Sequence, residues 1–163
     1  MPPVAIALGS NLGDRRAHLV FAAGQLALHL HNLRISTMLE TAAVEVSAPQ
    51  PPYLNAAVTG HTALEPEPLL ETLMQIEQAR GRSRPSPHAP RTLDLDLILY
   101  GDRVIETSAL MVPHPRFRAR RFVLELLAEI ASDWRDPVSG RTVGELLEEL
   151  QTSKFKLQTQ NPE

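Results

Sequence analysis

Leu93-Asp94-Leu95-Asp96-Leu97-Ile98-Leu99-Tyr100 is the stretch on which the fold turns. Leucine and aspartate alternate with the period of an extended chain, so Asp94 and Asp96 point to one face about 7 Å apart while Leu93, Leu95 and Leu97 point to the other. The apolar run onward to Tyr100 predicts a central strand. Before it lies a proline-punctuated loop with four arginines, Arg80, Arg82, Arg84 and Arg91, and no acid among them, although the whole chain carries a net charge of −3. That local excess predicts a bound anion, with a solvated basic loop as the plain alternative.

Working outward, Tyr53 to Leu64 is rich in alanine, valine and threonine and predicts a strand, and Pro66 opens a helix to Arg80 in which Leu69, Leu70, Leu73, Ile76 and Glu77 line one face. Further upstream, Val4 to Leu8 is a buried strand ended by a Gly9-Ser10-Asn11 turn. Asp14 caps a helix whose pattern fades near His31, and Leu33 to Glu40 is a second strand leading to a loop with Pro49, Pro51 and Pro52. Beyond Gly101 come a short extended piece, a Pro113-His114-Pro115 turn, and helices at Phe122 to Ile130 and Val143 to Leu150. The order β, α, β, β, α, β with C-terminal helices is the split βαβ pattern, an α+β fold: a ferredoxin-like βαββαβ sandwich with an antiparallel sheet.

A chain of 163 residues suits one domain, placed at residues 1–151 with a loose tail over 152–163. Apolar residues at 43% and charged residues at 21% exclude wholesale disorder. No apolar run is long enough for a membrane span and no signal-peptide pattern opens the chain, which predicts a cytoplasmic protein. The lack of cysteine excludes disulfides, thiolate metal sites and a cysteine nucleophile. The acidic balance argues against a nucleic-acid coat.

Two carboxylates on one patch repel each other and cost desolvation, a situation a divalent cation relieves; oxygen-only ligation suits magnesium. A bare D-x-D also suits an edge strand with one solvated face. Magnesium on carboxylates bridges substrate phosphates, and arginines supply forked donors to phosphate oxygens, so the acidic pair and the basic loop together describe a nucleoside triphosphate site. Neither a P-loop nor a kinase signature occurs, so side chains must hold the phosphates. Tyr53 and Asn55 share a strand face and could stack on and hydrogen-bond a flat polar heterocycle such as a pterin or purine, ordinary strand packing being the alternative. Phe122, after Arg120 and Arg121, offers a second aromatic face or a core anchor, and His114 between two prolines is a phosphate contact or a simple turn residue. His18, His29, His31, His61 and His88 show no zinc spacing and read as surface.

Four strings carry a resemblance: Gly9-Ser10-Asn11-Leu12-Gly13-Asp14; Tyr53-Leu54-Asn55-Ala56-Ala57-Val58; Ile76-Glu77 followed by Gly81-Arg82; and Pro90-Arg91-Thr92-Leu93-Asp94-Leu95-Asp96 with Val112-Pro113-His114 beyond it. In order and spacing, over roughly Val4 to Leu150, the chain resembles the 6-hydroxymethyl-7,8-dihydropterin pyrophosphokinase family of folate biosynthesis. The resemblance implies transfer of pyrophosphate from ATP to the hydroxymethyl oxygen of the pterin, with attack at the β-phosphorus and release of AMP. It implies that Asp94 and Asp96 hold two magnesium ions and that Asp96 helps polarise the attacking hydroxyl. Arg82 and Arg91 would engage the phosphates during transfer, with Glu77, Arg84, His114 and Arg120 on the nucleotide side. Tyr53 and Phe122 would sandwich the pterin, Asn55 would bind its polar edge, and Thr41, Ala42 and Val44 would lie on the pterin loop. The family's fold is ferredoxin-like. The partners implied are small molecules, ATP and the pterin, with no nucleic acid, no membrane, and a monomeric enzyme.

The chain departs from the family where many members have prolines after Thr41, here Ala42 and Ala43, and at His88, Pro85 and Pro87 within the arginine loop. The added prolines predict a smaller swing of that loop between open and closed states. The acidic pair with arginines would also serve a two-metal nuclease, which gives Tyr53 and Asn55 no work. A ferredoxin-like RNA-binding module would use the arginines on a backbone, but Asp94 and Asp96 would repel phosphates there without metal.

Overall fold

The computed structural model describes residues 1–43, 49–81 and 92–160, the last seven of these as backbone. Strand β1 (Pro3–Ser10) leads to helix α1 (Arg15–Leu26), whose N-cap Asp14 accepts the Ala17 amide at 3.1 Å. There follow β2 (Leu30–Ile35), β3 (Leu39–Thr41), β4 (Tyr53–Thr62), α2 (Pro66–Ala79) and β5 (Asp94–Tyr100). The short pair β6 (Ile105–Glu106) and β7 (Met111–Val112), a 3-10 turn at Phe117–Ala119, α3 (Arg121–Ala131) and α4 (Val143–Gln160) complete the chain.

The main sheet runs β2-β4-β1-β5 with every pair antiparallel, and β3 pairs with β4 beyond the end of β2. This is the expected ferredoxin-like order, with the second strand in two pieces. Alternation along the strands sorts side chains into two cores. Val4, Ile6, Leu8, Ala56, Val58, Leu95 and Leu97 pack against Leu19, Ala22 and Leu26 of α1 and Leu69, Leu73 and Ile76 of α2. Ala5, Ala57, Ile98 and Leu99 pack on the other side against Phe117, Leu124 and Leu127, with Val143 and Leu146 of α4. No helix among the described residues is long and apolar enough to cross a membrane.

Several expectations are corrected. Helix α1 stops at Leu26, short of His31, because Leu30 already opens β2 against Thr62. The single second strand is broken at residues 36–38: Ser36 exchanges hydrogen bonds with Ala57, and the Thr37 amide and hydroxyl both donate to the Glu129 carboxylate of α3, at 2.8 and 2.7 Å. Gly9 and Ser10 belong to β1, not to a turn. Strand β5 is at the edge of the sheet, not its centre; it reads as central because helical layers cover both its faces. A register shift opposite Ala5 and Ile6 leaves Ile98 bulged, so Ile98 and Leu99 both serve the α3 core. Helix α4 continues to Gln160 through residues expected to form a loose tail, a stretch with neither glycine nor proline to stop it.

The turn between α3 and α4 is organised by Asp136, which is fully buried. Its carboxylate accepts both arms of the Arg118 guanidinium, at 2.5 and 2.8 Å, the amides of Val138 and Ser139, and the Ser139 hydroxyl. Burial alone would push the carboxyl up; the donors from Arg118, Ser139 and Val138 outweigh it and hold the pKa at about 2. Replacing Asp136 by Ala strands the guanidinium and is expected to cost about 3 kcal/mol in urea unfolding. Because the folded pKa lies below the ordinary 3.8, this stability is present above that value and lost as pH falls through about 2. The gap between wild type and Asp136→Ala should therefore close in acid; a gap of the same size near pH 2 and at neutral pH would contradict the assignment.

Candidate active site

Antiparallel pairing lines up one row of positions across the sheet: Leu39 opposite Asn55, Asn55 opposite Gly9, and Gly9 opposite Asp94. The neighbouring row on the same face is Ala57, Ala7 and Asp96. Tyr53, two residues before Asn55 and paired with Thr41, joins this face. All of it looks toward the α3 side, where Phe122 in the first turn of α3 packs in the same layer as Ala7 and Leu39. The pleat thus brings Tyr53, Asn55, Asp94, Asp96 and Phe122 to one side of one sheet.

Gly9 is the gap that makes the row usable. A Cβ there would sit 3.3 Å from Asn55 Oδ1 and 3.4 Å from Tyr53 Cδ1, so the tyrosine ring and the amide oxygen lie across the bare backbone of β1. Asn55 is buried, and its amide nitrogen donates to the Leu39 carbonyl at 3.1 Å and the Thr41 hydroxyl at 2.7 Å. The nitrogen is thereby spent on the sheet, and Oδ1 is the atom turned over Gly9. The acceptor oxygen is therefore the amide atom of Asn55 that faces across Gly9.

Asp94 and Asp96 are half-buried. Between them Leu95 turns its amide away from β1, and Glu77 of α2, only 2% exposed, accepts it at 2.8 Å. Glu77, expected on the nucleotide side, stands against the outer edge of β5, where it steadies the backbone that carries both aspartates. No group of three or more histidine, cysteine, aspartate or glutamate side chains gathers among the described residues. Two hard oxygen donors on one face would supply the protein share of a magnesium shell, with phosphate oxygens and water as the remainder, so the donor set fits that ion.

His114 reaches the same strand, its amide donating to the Ile98 carbonyl at 2.9 Å. Burial, then the nearby charges of Arg120 and Arg116, lower its imidazole to about 4 against the opposing pull of Asp94. The charges of Arg120, Arg116 and Asp94 thus all act on His114. Arg82, Arg84, Arg91 and Val44, together with Pro85, Pro87 and His88 and the expected loop swing, lie outside the described residues. Thr41 and Ala42 sit at the edge of the face, at and just past the end of β3.

The sequence reading missed the supports. Asn11, fully buried, donates to the Gln50 side chain at 3.0 Å and the Pro51 carbonyl at 3.3 Å. His18, read as a surface residue, is partly buried, and its Nδ1 accepts from Arg80 Nε at 2.9 Å while the Arg80 guanidinium lies 4.6 Å from the centre of the Phe21 ring. The glycine of the Gly9-Ser10-Asn11 string was the available signal, since a glycine inside a strand marks close approach.

Comparison with known proteins identifies the family and the fold. The profile of the 7,8-dihydro-6-hydroxymethylpterin-pyrophosphokinase (HPPK) family matches residues 5–132. The chain is 46% identical over 147 residues to the 2-amino-4-hydroxy-6-hydroxymethyldihydropteridine pyrophosphokinase of Synechocystis, covering 89% of this chain and 74% of that protein. It is 46% identical over 127 residues to the Bacillus subtilis protein of the same name, covering 77% and 75%. Among solved structures, Plasmodium falciparum HPPK-DHPS with pteroate has the same fold, at TM-score 0.74 and 13% identity over 98% of this chain. The chain spans 44% of that longer protein.

Two outcomes test the site. The His114 imidazole of the ligand-free protein should stay neutral until pH falls to about 4, as followed by ring nitrogen shifts; because its folded pKa is lowered, the stability it carries is full above 6.5 and lost downward through about 4. A midpoint near 6.5 would show that burial and the two arginines do not act on it. Gly9→Val should leave the fold intact and weaken binding of 6-hydroxymethylpterin tenfold or more by titration calorimetry, a loss of about 1.4 kcal/mol. Unchanged affinity would mean that the bare backbone at Gly9 serves packing only.

Proposed function

The chain belongs to the 7,8-dihydro-6-hydroxymethylpterin-pyrophosphokinase family of folate biosynthesis, and from that premise we propose that its Asp94, Asp96, Asn55, Tyr53 face transfers pyrophosphate from ATP to the dihydropterin. The hydroxymethyl oxygen attacks the β-phosphorus of ATP, the bond from that phosphorus to the α–β bridging oxygen breaks, AMP leaves, and the hydroxyl proton is lost. The observation that supports the reading is the single row of Asn55, Gly9 and Asp94, an amide and a carboxylate aligned across a bare glycine.

In this reading Tyr53 and Phe122 sandwich the pterin ring, Asn55 Oδ1 accepts from its N–H edge, and Thr41, Ala42 and Val44 line the rim. Asp94 and Asp96 hold two magnesium ions, which supply charge neutralisation on the triphosphate. Asp96 also polarises the attacking hydroxyl. Arg82 and Arg91 engage the phosphates as charge moves during transfer, while Arg84, His114 and Arg120 hold the nucleotide; a neutral His114 donates a hydrogen bond without adding a fixed charge. Glu77, which holds the Leu95 amide at the edge of β5, is the nucleotide-side acid. In the same proposal the protein acts as a monomer on small molecules in the cytoplasm, without nucleic acid.

The test is AMP release with magnesium, ATP and 6-hydroxymethyl-7,8-dihydropterin, beside reactions lacking the pterin. Pterin-dependent AMP and a product heavier by a pyrophosphate are expected. Asp94→Asn and Asp96→Asn should each lower turnover at least about a hundredfold, the scale of a lost transition-state electrostatic contact, and shift the magnesium requirement. Arg91→Ala should lower kcat more than it raises the pterin KM. A folded, magnesium-replete protein that releases no AMP with pterin present would overturn the proposal.

A further inference from the structure

The face that carries Tyr53 depends on a short strand. Strand β3 is only Leu39–Thr41, pairing Glu40 with Leu54 and Thr41 with Tyr53 at the end of the sheet. Three residues give a strand little hold of its own, and Ala42 and Ala43, which follow, add no backbone restraint of the kind proline supplies. Arg15, the first residue of α1, reaches across this end. Its Nη1 donates to the Pro52 carbonyl at 2.8 Å and to Glu40 Oε1 at 3.2 Å. One guanidinium nitrogen thus ties the residue before Tyr53 to the residue before Thr41, drawing together both sides of the last rung. Asn11, from the same β1–α1 connection, holds the adjoining Gln50 and Pro51.

We propose that Arg15 is a positioning residue for the pterin, fixing the Thr41–Tyr53 rung so that the Tyr53 ring and the Asn55 amide stand ready before the ligand arrives. The role rests on the reading of this face as the pterin site. Neither bond has to be strong. Arg15 is about a third exposed and Glu40 more than half, and an exposed ion pair by itself is worth at most about 1 kcal/mol. The carbonyl bond to Pro52 is what links the pair to the site, and the gain appears as ordering that binding need not supply. The effect therefore belongs to pterin affinity. Phosphate binding at Asp94 and Asp96, on β5 at the far edge of the sheet, should be indifferent to it.

The experiment compares wild type, Arg15→Ala, Arg15→Lys and Glu40→Gln by titration calorimetry with 6-hydroxymethylpterin, by KM for pterin and for ATP, and by thermal unfolding. Arg15→Ala should weaken pterin binding about five- to tenfold and raise the pterin KM to match, with the ATP KM, kcat and melting temperature nearly unchanged. Arg15→Lys, which retains a cationic donor for the Pro52 carbonyl, should recover part of the affinity, and Glu40→Gln should lose less than Arg15→Ala. Equal pterin affinity in wild type and Arg15→Ala overturns the role of Arg15 and leaves the activity standing. A joint loss of pterin and ATP affinity with a lowered melting temperature also overturns it, by making Arg15 a general support. A folded wild type that neither binds the pterin nor releases AMP with it overturns the site reading, and this role with it.

Discussion

The hydrogen bond from the Leu95 amide to the buried Glu77 carboxylate settles the weak point of the sheet. An edge strand presents amides and carbonyls that must find partners or water. β5 is such an edge, yet it carries the two aspartates whose spacing any metal and phosphate chemistry would need held. Glu77 closes the outward side between them, and the His114 amide closes it again at Ile98. With both points taken, the strand has the order of a central one while keeping one edge clear of a further strand. His114 and Arg120 are positioned from the segment that covers this edge.

The division of labour across the sheet follows from the same arrangement. At one end, β3 and β4 bring aromatic and amide groups suited to a flat ring. At the other, β5 brings carboxylates. β1 lies between and contributes almost nothing of its own, since its residues on that face are Ala7 and Gly9. A larger side chain on the middle strand would separate the two halves. The smallest residues in the row are therefore as much a part of the site as those that carry charge.

How much of this the sequence disclosed depends on the range of the interaction concerned. The element order, the alternation at Asp94 and Asp96, and the common face of Tyr53 and Asn55 are local properties, written in periods of two and of 3.6, and they were legible. The edge position of β5 was not, because burial by helices on two faces leaves the same apolar signature as burial by strands on two sides. The break at residues 36–38 depends on Glu129, more than ninety residues away, and the Arg118–Asp136 lock joins a short turn to a loop. Neither leaves a trace in local pattern. Glu77 was visible as a polar residue on an apolar helical face, but its partner is a backbone amide, and backbone amides are silent in a sequence. Residues 82–91, in which the arginines were the plainest signal of all, lie outside the described structure.

The aspartate pair has a second consequence, for how the chain finds its fold. Side chains on a strand change faces with every residue, so if β5 slipped by one position against β1, Asp94 and Asp96 would be driven among the leucines of α1 and α2 while Leu95 and Leu97 came out beside His114. Two buried carboxylates in such an environment would cost several kcal/mol each. Asp94 and Asp96 thus act as an alignment check during assembly: they make every odd-numbered misregistration of this strand unstable, and so guard the fold that presents them.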